Sequence, residues 1–210
     1  MQWINGFKGL FLMAFFGVAL SAQAVVQLDK DYAVLPQPQP TETGKIEVLE
    51  LFWYGCPHCY ALEPKITAWA KKLPKDVQFR RMPVPLNPSW AMTKVYYTLE
   101  ALGELDRLHA QVFDAIHAEN VILTNQETLF DWMQQHGIDR KKFVDTYNSF
   151  AVQSKLKRAE QLARAYRVQG VPSIVVDGKY LVLNSAAKSL DDLLRITDEV
   201  IGVARKAHAT

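Results

Sequence analysis

Two stretches near the start of the chain have the apolar pattern of buried strands. Residues Ile46 to Tyr54, IEVLELFWY, are apolar on both faces, which predicts a central strand that is covered on both sides. Pro57 to Lys72 is predicted as a helix, because proline is well tolerated in the first helical turn. Val77 to Met82 is predicted as a second strand that ends before Pro83. Residues 46–85 are therefore predicted to form a strand-helix-strand unit.

The middle of the chain, residues 86–150, has the periodicity of helices rather than strands. Four helices are predicted there: Pro88 to Leu102, Glu104 to Ala118, a segment from a capping box at Thr124 to Gly137, and a short helix from Asp139 to about Asn148. Because this block lies between two sheet-forming parts of the chain, it is interpreted as an inserted helical subdomain.

The last part of the chain returns to a sheet-forming pattern. A helix is predicted from Ala151 to Val168, and a hairpin follows in which Ser173 to Val176 and Lys179 to Leu183 are the strands. A final helix begins at Ser189 and has acidic residues in its first turn. Residues 151–210 thus form the second sheet-containing half, and the predicted fold class is α/β with a helical subdomain between two halves.

The first residues have the pattern of a targeting segment. One positive charge precedes an apolar run from Leu10 to Leu20, and the small-residue ending Ala22-Gln23-Ala24 follows. This order predicts a cleaved signal peptide over residues 1–24. The alternative is an uncleaved membrane anchor that begins near Phe7, but the apolar run is shorter than the roughly 20 residues that span a bilayer. The signal peptide places the mature protein in a secretory compartment.

Charge and cysteine content narrow the possible functions. The formal net charge is +2, without a block of like charges, so binding to nucleic acid is not expected. The chain has two cysteines, Cys56 and Cys59. A disulfide between them would close almost no loop, and a bridge stabilises a fold more when the loop is long. In an oxidising compartment such a pair is expected to exchange disulfides rather than to hold the fold.

The two cysteines lie where a predicted strand gives way to a predicted helix, in the sequence Cys56-Pro57-His58-Cys59. A helix N-terminus presents free N–H groups and a partial positive charge, which stabilise a thiolate. We therefore expect Cys56, at the mouth of the helix, to be the exposed nucleophile, and Cys59, one turn further, to be the shielded resolving thiol. His58 lies between them and can add a charge or a hydrogen bond to the anion.

Two other interpretations of the cysteine pair are a half zinc site and an inert structural bridge. A zinc site needs about four ligands, but the sequence has no second cysteine pair and no pair of histidines at ligand spacing. His109, His117 and His136 are more simply histidines of helix surfaces or of the core. No metal and no cofactor are therefore expected, and the short loop argues against a structural bridge.

The sequence FWYGCPHCY, between a strand and a helix, resembles the DsbA family of periplasmic disulfide oxidases, and Val171-Pro172 is similar to the cis-proline loop of that family. The resemblance implies a thioredoxin fold with a helical insertion and a backbone at Val171 and Pro172 that faces the redox pair. It also implies donation of disulfides to reduced, newly secreted proteins, and reoxidation by a quinone-linked membrane oxidase of the DsbB type. The family is itself a standard example of an acidic cysteine and a strong oxidant.

The roles of the charged residues near the cysteines stay open between alternatives. Glu50 shares a strand face with apolar residues, so it is either a buried proton acceptor near Cys59, as the resemblance implies, or a strand-end acid that reaches solvent. Glu63 is interpreted as a solvated helix residue, although it matches an acid of the family. Arg81 stands where relatives often carry lysine, a departure that leaves a charge network among these residues in doubt.

Two rival functions stay open beside the dithiol oxidase. One is a disulfide reductase or isomerase, and the other is a peptide-binding chaperone module whose disulfide is incidental. Thioredoxin-like isomerases of this compartment usually carry an added dimerisation domain. Residues 25–45 are too few to form one and are predicted as an extended, proline-containing lead-in. A monomer is therefore expected.

Overall fold

The computed structural model describes residues 26–41, 44–86 and 90–209, which are arranged around one five-stranded sheet with the strand order β1-β5-β4-β2-β3. Strand β2 is central and fully buried; it runs parallel to β3 and antiparallel to β4. The strands are β1 Tyr32–Val34, β2 Ile46–Phe52, β3 Val77–Pro83, β4 Ser173–Val176 and β5 Tyr180–Val182. The predicted signal peptide lies outside the described residues.

Seven α-helices cover the two faces of the sheet within the described residues. Their bounds are α1 Pro57–Ala70, α2 Trp90–Leu102, α3 Leu105–His117, α4 Gln126–Gln135, α5 Arg140–Tyr147, α6 Phe150–Ala165 and α7 Leu190–His208. A short 3₁₀ helix, Asn184–Ala186, precedes α7. No helix in the described part of the chain is long and apolar enough to cross a membrane.

The alternation of side chains along β2 divides the core into two layers. Ile46 and Val48 pack with side chains of α1 and α7, whereas Leu49 and Leu51 pack with the inserted helices and α6. Strand residues alternate between the two faces of a sheet, so one apolar strand can serve both layers. The result is a thioredoxin fold with inserted helices, as predicted.

Apart from shifts of one or two residues at other element ends, among them the inclusion of Pro83 in β3, the secondary structure differs from the prediction in three places. Strand β1 was not predicted, because three half-exposed residues within the 25–45 lead-in carry too little periodicity. It pairs only with β5, at the edge of the sheet. The cap of α4 is Asn125, whose side chain accepts a hydrogen bond from Thr128 N–H, and not Thr124. Helix α6 ends at Ala165, three residues earlier than predicted, because Arg167 has a positive φ of 53°.

Candidate active site

The sulfur of Cys56 caps the N-terminus of α1. Cys56 is the N-cap residue with an extended backbone, and its Sγ accepts a hydrogen bond from Cys59 N–H at 3.4 Å. Pro57 occupies the first helical position. An N–H group at this position has no acceptor within the helix, so its absence in proline removes no hydrogen bond. The local sequence thus directs one free helical N–H group and the positive end of the helix toward this sulfur.

The two thiols differ in exposure, although less than predicted. Both cysteines are free thiols, and Cys56 is 6% exposed whereas Cys59 is completely buried. The expectation of a well-exposed Cys56 is therefore wrong, but Cys56 remains the more accessible sulfur. Burial raises the pKa of the Cys59 thiol well above its ordinary value, and the charge of Glu50 raises it further. Cys59 is therefore held in its protonated form.

The loop before β4 reaches Cys56 from the other half of the domain. The Val171–Pro172 peptide bond is cis, as expected, and Cys56 Sγ donates a hydrogen bond to the Val171 carbonyl at 3.3 Å. Val171, Pro172 and the exposed His58 line a groove of about 420 Å³, together with residues of the segment that leads into α7. His58 makes no hydrogen bond with Cys56 among the described residues, so the structure does not place it on the sulfur.

A buried acid and a guanidinium group lie behind the cysteines. Glu50 is 1% exposed, and its carboxylate accepts a hydrogen bond from Arg81 Nε at 3.2 Å. Arg81 Nη2 also donates to both oxygens of Glu63, at 3.0 Å each. The alternative of a solvent-exposed Glu50 is therefore wrong, and so is the interpretation of Glu63 as a solvated residue. Arg81 links the two acids in spite of the departure from lysine.

The two acids of this network have opposite tendencies. Burial raises the pKa of Glu50 from 4.5 to about 7, against the attraction of Arg81. Burial also opposes ionisation of Glu63, but the hydrogen bond with His109, the charge of Arg81 and the Thr67 hydroxyl outweigh it, and the pKa of Glu63 is lowered. One carboxyl group can therefore exchange a proton near neutral pH, while the other stays ionised.

Three residues of this site were not predicted to belong to it. His109, from α3, forms a hydrogen bond with Glu63. Thr67 also donates a hydrogen bond to Glu63, at 2.6 Å. The Tyr54 hydroxyl lies 2.8 Å from the His109 ring. The helical periodicity of α3 could have indicated that His109 is buried, since it lies on the same face as Leu108 and Val112. No sequence pattern could have identified its partners.

This arrangement defines a class of protein. A sulfur at a helix N-terminus with a second, buried thiol one turn away is the arrangement in which cysteines take part in disulfide exchange. Within the described part of the chain, no group of three or more acids, histidines and cysteines could hold a metal ion. Fold and site together are those of a thiol:disulfide oxidoreductase.

Comparison with known proteins agrees with this class. A family model described as "DSBA-like thioredoxin domain" matches residues 89–196. The thiol:disulfide interchange protein DsbA of Pseudomonas aeruginosa is 42% identical over 200 residues, which are 94% of each chain. The protein of the same name from Azotobacter vinelandii is 42% identical over 187 residues, 88% of this chain and 87% of that one.

Solved structures give the same result. The crystal structure of Pseudomonas aeruginosa DsbA matches with a TM-score of 0.82 at 42% identity, and the match covers 88% of this chain and 97% of that chain. The oxidoreductase DsbA from Xylella fastidiosa matches with a TM-score of 0.78 at 32% identity, over 84% of this chain and 96% of that one. The chain belongs to the DsbA-like family of thiol:disulfide oxidoreductases.

Proposed function

We propose that the protein is a dithiol oxidase that donates its Cys56–Cys59 disulfide to reduced, newly secreted proteins in the periplasm. The observation that carries the proposal is the contrast between the two sulfurs. Cys56 Sγ receives the Cys59 N–H at the start of α1, whereas the thiol of Cys59 is completely buried. The reduced protein can therefore hold one thiolate and one thiol, each in a suitable environment.

The direction of the reaction follows from the stability of the reduced state. Interactions that favour the Cys56 thiolate exist only after the disulfide has opened, so they stabilise the reduced protein relative to the oxidised one. A couple whose reduced form is stabilised is a stronger oxidant. The site therefore favours passing a disulfide to a substrate over reducing one.

The reaction proceeds through a mixed disulfide. A substrate thiolate attacks the Cys56 sulfur, a bond forms between these two sulfurs, and the Cys56–Cys59 bond breaks. Cys59 leaves with the electron pair and takes up a proton. A second substrate thiolate then attacks the substrate sulfur of the mixed disulfide, and Cys56 leaves as a thiolate. The substrate loses two electrons and gains a disulfide, and the protein ends as the dithiol.

Glu50 is proposed as the group that exchanges a proton with Cys59. A buried thiolate without a counter-charge is costly, so Cys59 needs a proton as it leaves. The pKa of Glu50 is raised by burial to about 7, which keeps a fraction of the acid protonated near neutral pH. During reoxidation the ionised carboxylate would take the same proton back. Arg81 keeps that ionised form accessible through its hydrogen bond at 3.2 Å.

The groove beside Cys56 is proposed to hold the substrate. Val171 and Pro172 form one wall, and the exposed His58 lies at its edge. A substrate segment in extended conformation could pair with the backbone of this loop, as in other cases of strand addition. Pro57 and His58 would then contribute to the site because they lie at the N-terminus of α1, where the substrate sulfur approaches Cys56.

The compartment and the partners belong to the same proposal. The signal-peptide pattern of residues 1–24 and the family membership support secretion to the periplasm. A quinone-linked membrane oxidase of the DsbB type would remove the two electrons that the dithiol has gained. The protein would act as a monomer, without nucleic acid and without a cofactor of its own. Fractionation of cells, with N-terminal sequencing of the mature chain, tests the location and the cleavage site.

A redox titration against glutathione, together with oxidation of a two-cysteine peptide, tests the activity. We expect the oxidised protein to convert the peptide to its disulfide stoichiometrically, and the glutathione titration to give an oxidising couple. A reducing couple would instead support the reductase or isomerase. Replacement of both cysteines by serine should abolish turnover; peptide binding that survives, with no turnover in the wild type, would support the chaperone module. Membrane vesicles with and without quinone test reoxidation.

A further inference from the structure

His109 occupies a central position between the inserted helices and the redox site. The residue is 6% exposed, and aromatic rings surround its imidazole. Phe52 contacts the ring edge-on with centroids 5.2 Å apart, and Phe113 does so at 5.3 Å. Tyr96 completes the enclosure from α2 at 5.9 Å. The orientation of the imidazole is therefore fixed by packing, and its two nitrogens point at defined partners.

The partners of the two nitrogens determine which one carries the proton. Nε2 lies 3.3 Å from Glu63 Oε2, and Nδ1 lies 2.8 Å from the Tyr54 hydroxyl. An ionised carboxylate only accepts hydrogen bonds, so Nε2 must donate to Glu63. Burial lowers the pKa of His109, although the bond with Glu63 opposes this, so the ring is neutral near pH 7. Nδ1 therefore accepts a hydrogen bond from Tyr54.

Glu63 in turn accepts hydrogen bonds from several donors. Besides His109, it accepts hydrogen bonds from Arg81 and Thr67. Arg81 is shared between Glu63 and Glu50, so a change in the donors of Glu63 alters how strongly it attracts the guanidinium. The chain of contacts runs from the insertion through Glu63 and Arg81 to Glu50.

Tyr54 forms the second connection between α3 and the redox site. Its hydroxyl bonds His109, and its backbone carbonyl lies 2.8 Å from Nε2 of His117 at the end of the same helix. Tyr54 precedes Cys56 by two residues, so both ends of this tyrosine are held by the inserted helices. Helix α3 thus contacts the strand end that leads to the nucleophile and the network that leads to Glu50.

We propose that His109 is a positioning residue for disulfide exchange: it holds Glu63 through Nε2–H and Tyr54 through Nδ1, and thereby fixes how Arg81 is shared with Glu50. The proposal rests on the proposed function, since it concerns the proton that Glu50 exchanges with Cys59. The titratable and charged groups that face His109 come from every element around it: Tyr54, Glu63, Arg81, Tyr96 and, on α3 itself, Asp106.

Two substitutions separate the two hydrogen bonds. In His109→Asn the amide can reach the position of Nδ1, so it keeps a partner for Tyr54 and loses the donor to Glu63. In His109→Gln the amide can reach the position of Nε2, so it keeps the donor to Glu63. Without that donor, Glu63 should attract Arg81 more strongly and weaken the pair between Arg81 and Glu50.

The rate of reaction of the reduced protein with oxidised glutathione, measured from pH 4.5 to 8.5, tests the proposal. This rate should rise with pH as Glu50 becomes able to take the Cys59 proton. We expect the midpoint to move up by about half a pH unit or more in His109→Asn. His109→Gln should keep the wild-type midpoint. Leu129→Ala is the control, because it disturbs the same core from α4 without touching the ring of His109 or removing a polar group, and it should lower stability without moving the midpoint.

A midpoint that is the same in the wild type and in both His109 variants would overturn the proposal and leave the dithiol oxidase intact. If instead the wild type does not exchange disulfides at all, the proposed function fails first. If His109→Asn does not fold, a measurement on the wild type alone still tests the proposal. The ¹⁵N chemical shifts of the His109 ring should report a neutral Nε2–H tautomer; an Nδ1–H tautomer would overturn the proposal.

Discussion

The most informative single perturbation is Glu50→Gln. The amide has nearly the same shape as the carboxylic acid and cannot ionise, so it imitates the protonated form at every pH. Glu50 is 1% exposed, and water screens it little. The substitution therefore isolates the free energy of placing a negative charge at this position, together with any role of that proton in exchange.

The magnitude follows from the pKa. Burial raises the pKa of Glu50 from 4.5 to about 7, so the folded protein binds this proton more tightly than the unfolded chain does. The associated stabilisation is complete below about pH 4.5 and is lost as the pH rises through about 7. At about 1.4 kcal/mol per pH unit, the loss amounts to about 3 kcal/mol at pH 8, and to under about 1 kcal/mol at pH 5.

Urea denaturation of the reduced wild type and of Glu50→Gln, from pH 4.5 to 8.5, measures this difference. We expect the variant to be the more stable protein by about 3 kcal/mol at pH 8 and the two to converge toward pH 5. Titrating groups outside the network of Glu50 are common to both proteins and cancel in the difference. Curves that stay parallel across this range would refute the argument that Glu50 is held protonated by burial.

The same variant should also exchange disulfides more slowly, because Cys59 loses its proton partner. A matched control is Glu47→Gln, a buried acid of the same strand that lies on the opposite face and pairs with Arg80. Glu47→Gln should leave the pH dependence of exchange unchanged. An equal effect of both substitutions would show that the rate reflects the stability of β2 and not proton transfer at Glu50.

Three further predictions concern the same site. The reduced protein should be alkylated by iodoacetamide at Cys56 before Cys59, because Cys59 is completely buried, and modification of Cys59 first would contradict the assignment of Cys56 as the nucleophile. The reduced form should resist denaturant better than the oxidised form, because the thiolate contacts of Cys56 exist only after reduction; a higher unfolding midpoint for the oxidised form would disprove the direction of electron flow. Arg81→Met should destabilise the protein by roughly 3–5 kcal/mol at neutral pH and by less at pH 5, where the two acids can take up protons. Equal losses at both pH values would contradict a network held by charge, and so would an equal loss in Arg80→Met, whose side chain is 47% exposed.

Short-range patterns of the sequence determined the local framework of the site. The apolar run IEVLELFWY predicted β2, and proline after Cys56 marked the start of α1. Together they indicated a redox pair at a helix N-terminus, because this geometry depends on residues adjacent in sequence. The hairpin and most helix ends were also predictable, since turns and caps involve residues a few positions apart.

Only the tertiary structure decided which distant groups meet the two sulfurs. The Val171 carbonyl reaches Cys56 across 115 positions of sequence, and His109 reaches Glu63 across 46. Glu63 was interpreted as solvated because it is charged, but it lies on the buried face of α1, four residues after Cys59, where Arg81 and α3 pack against it. Periodicity records which face of an element is apolar, but a buried charge is tolerated only where partners from other elements satisfy it. The sequence therefore determined where the cysteines lie, and the packing of the inserted helices determined the protonation of their surroundings.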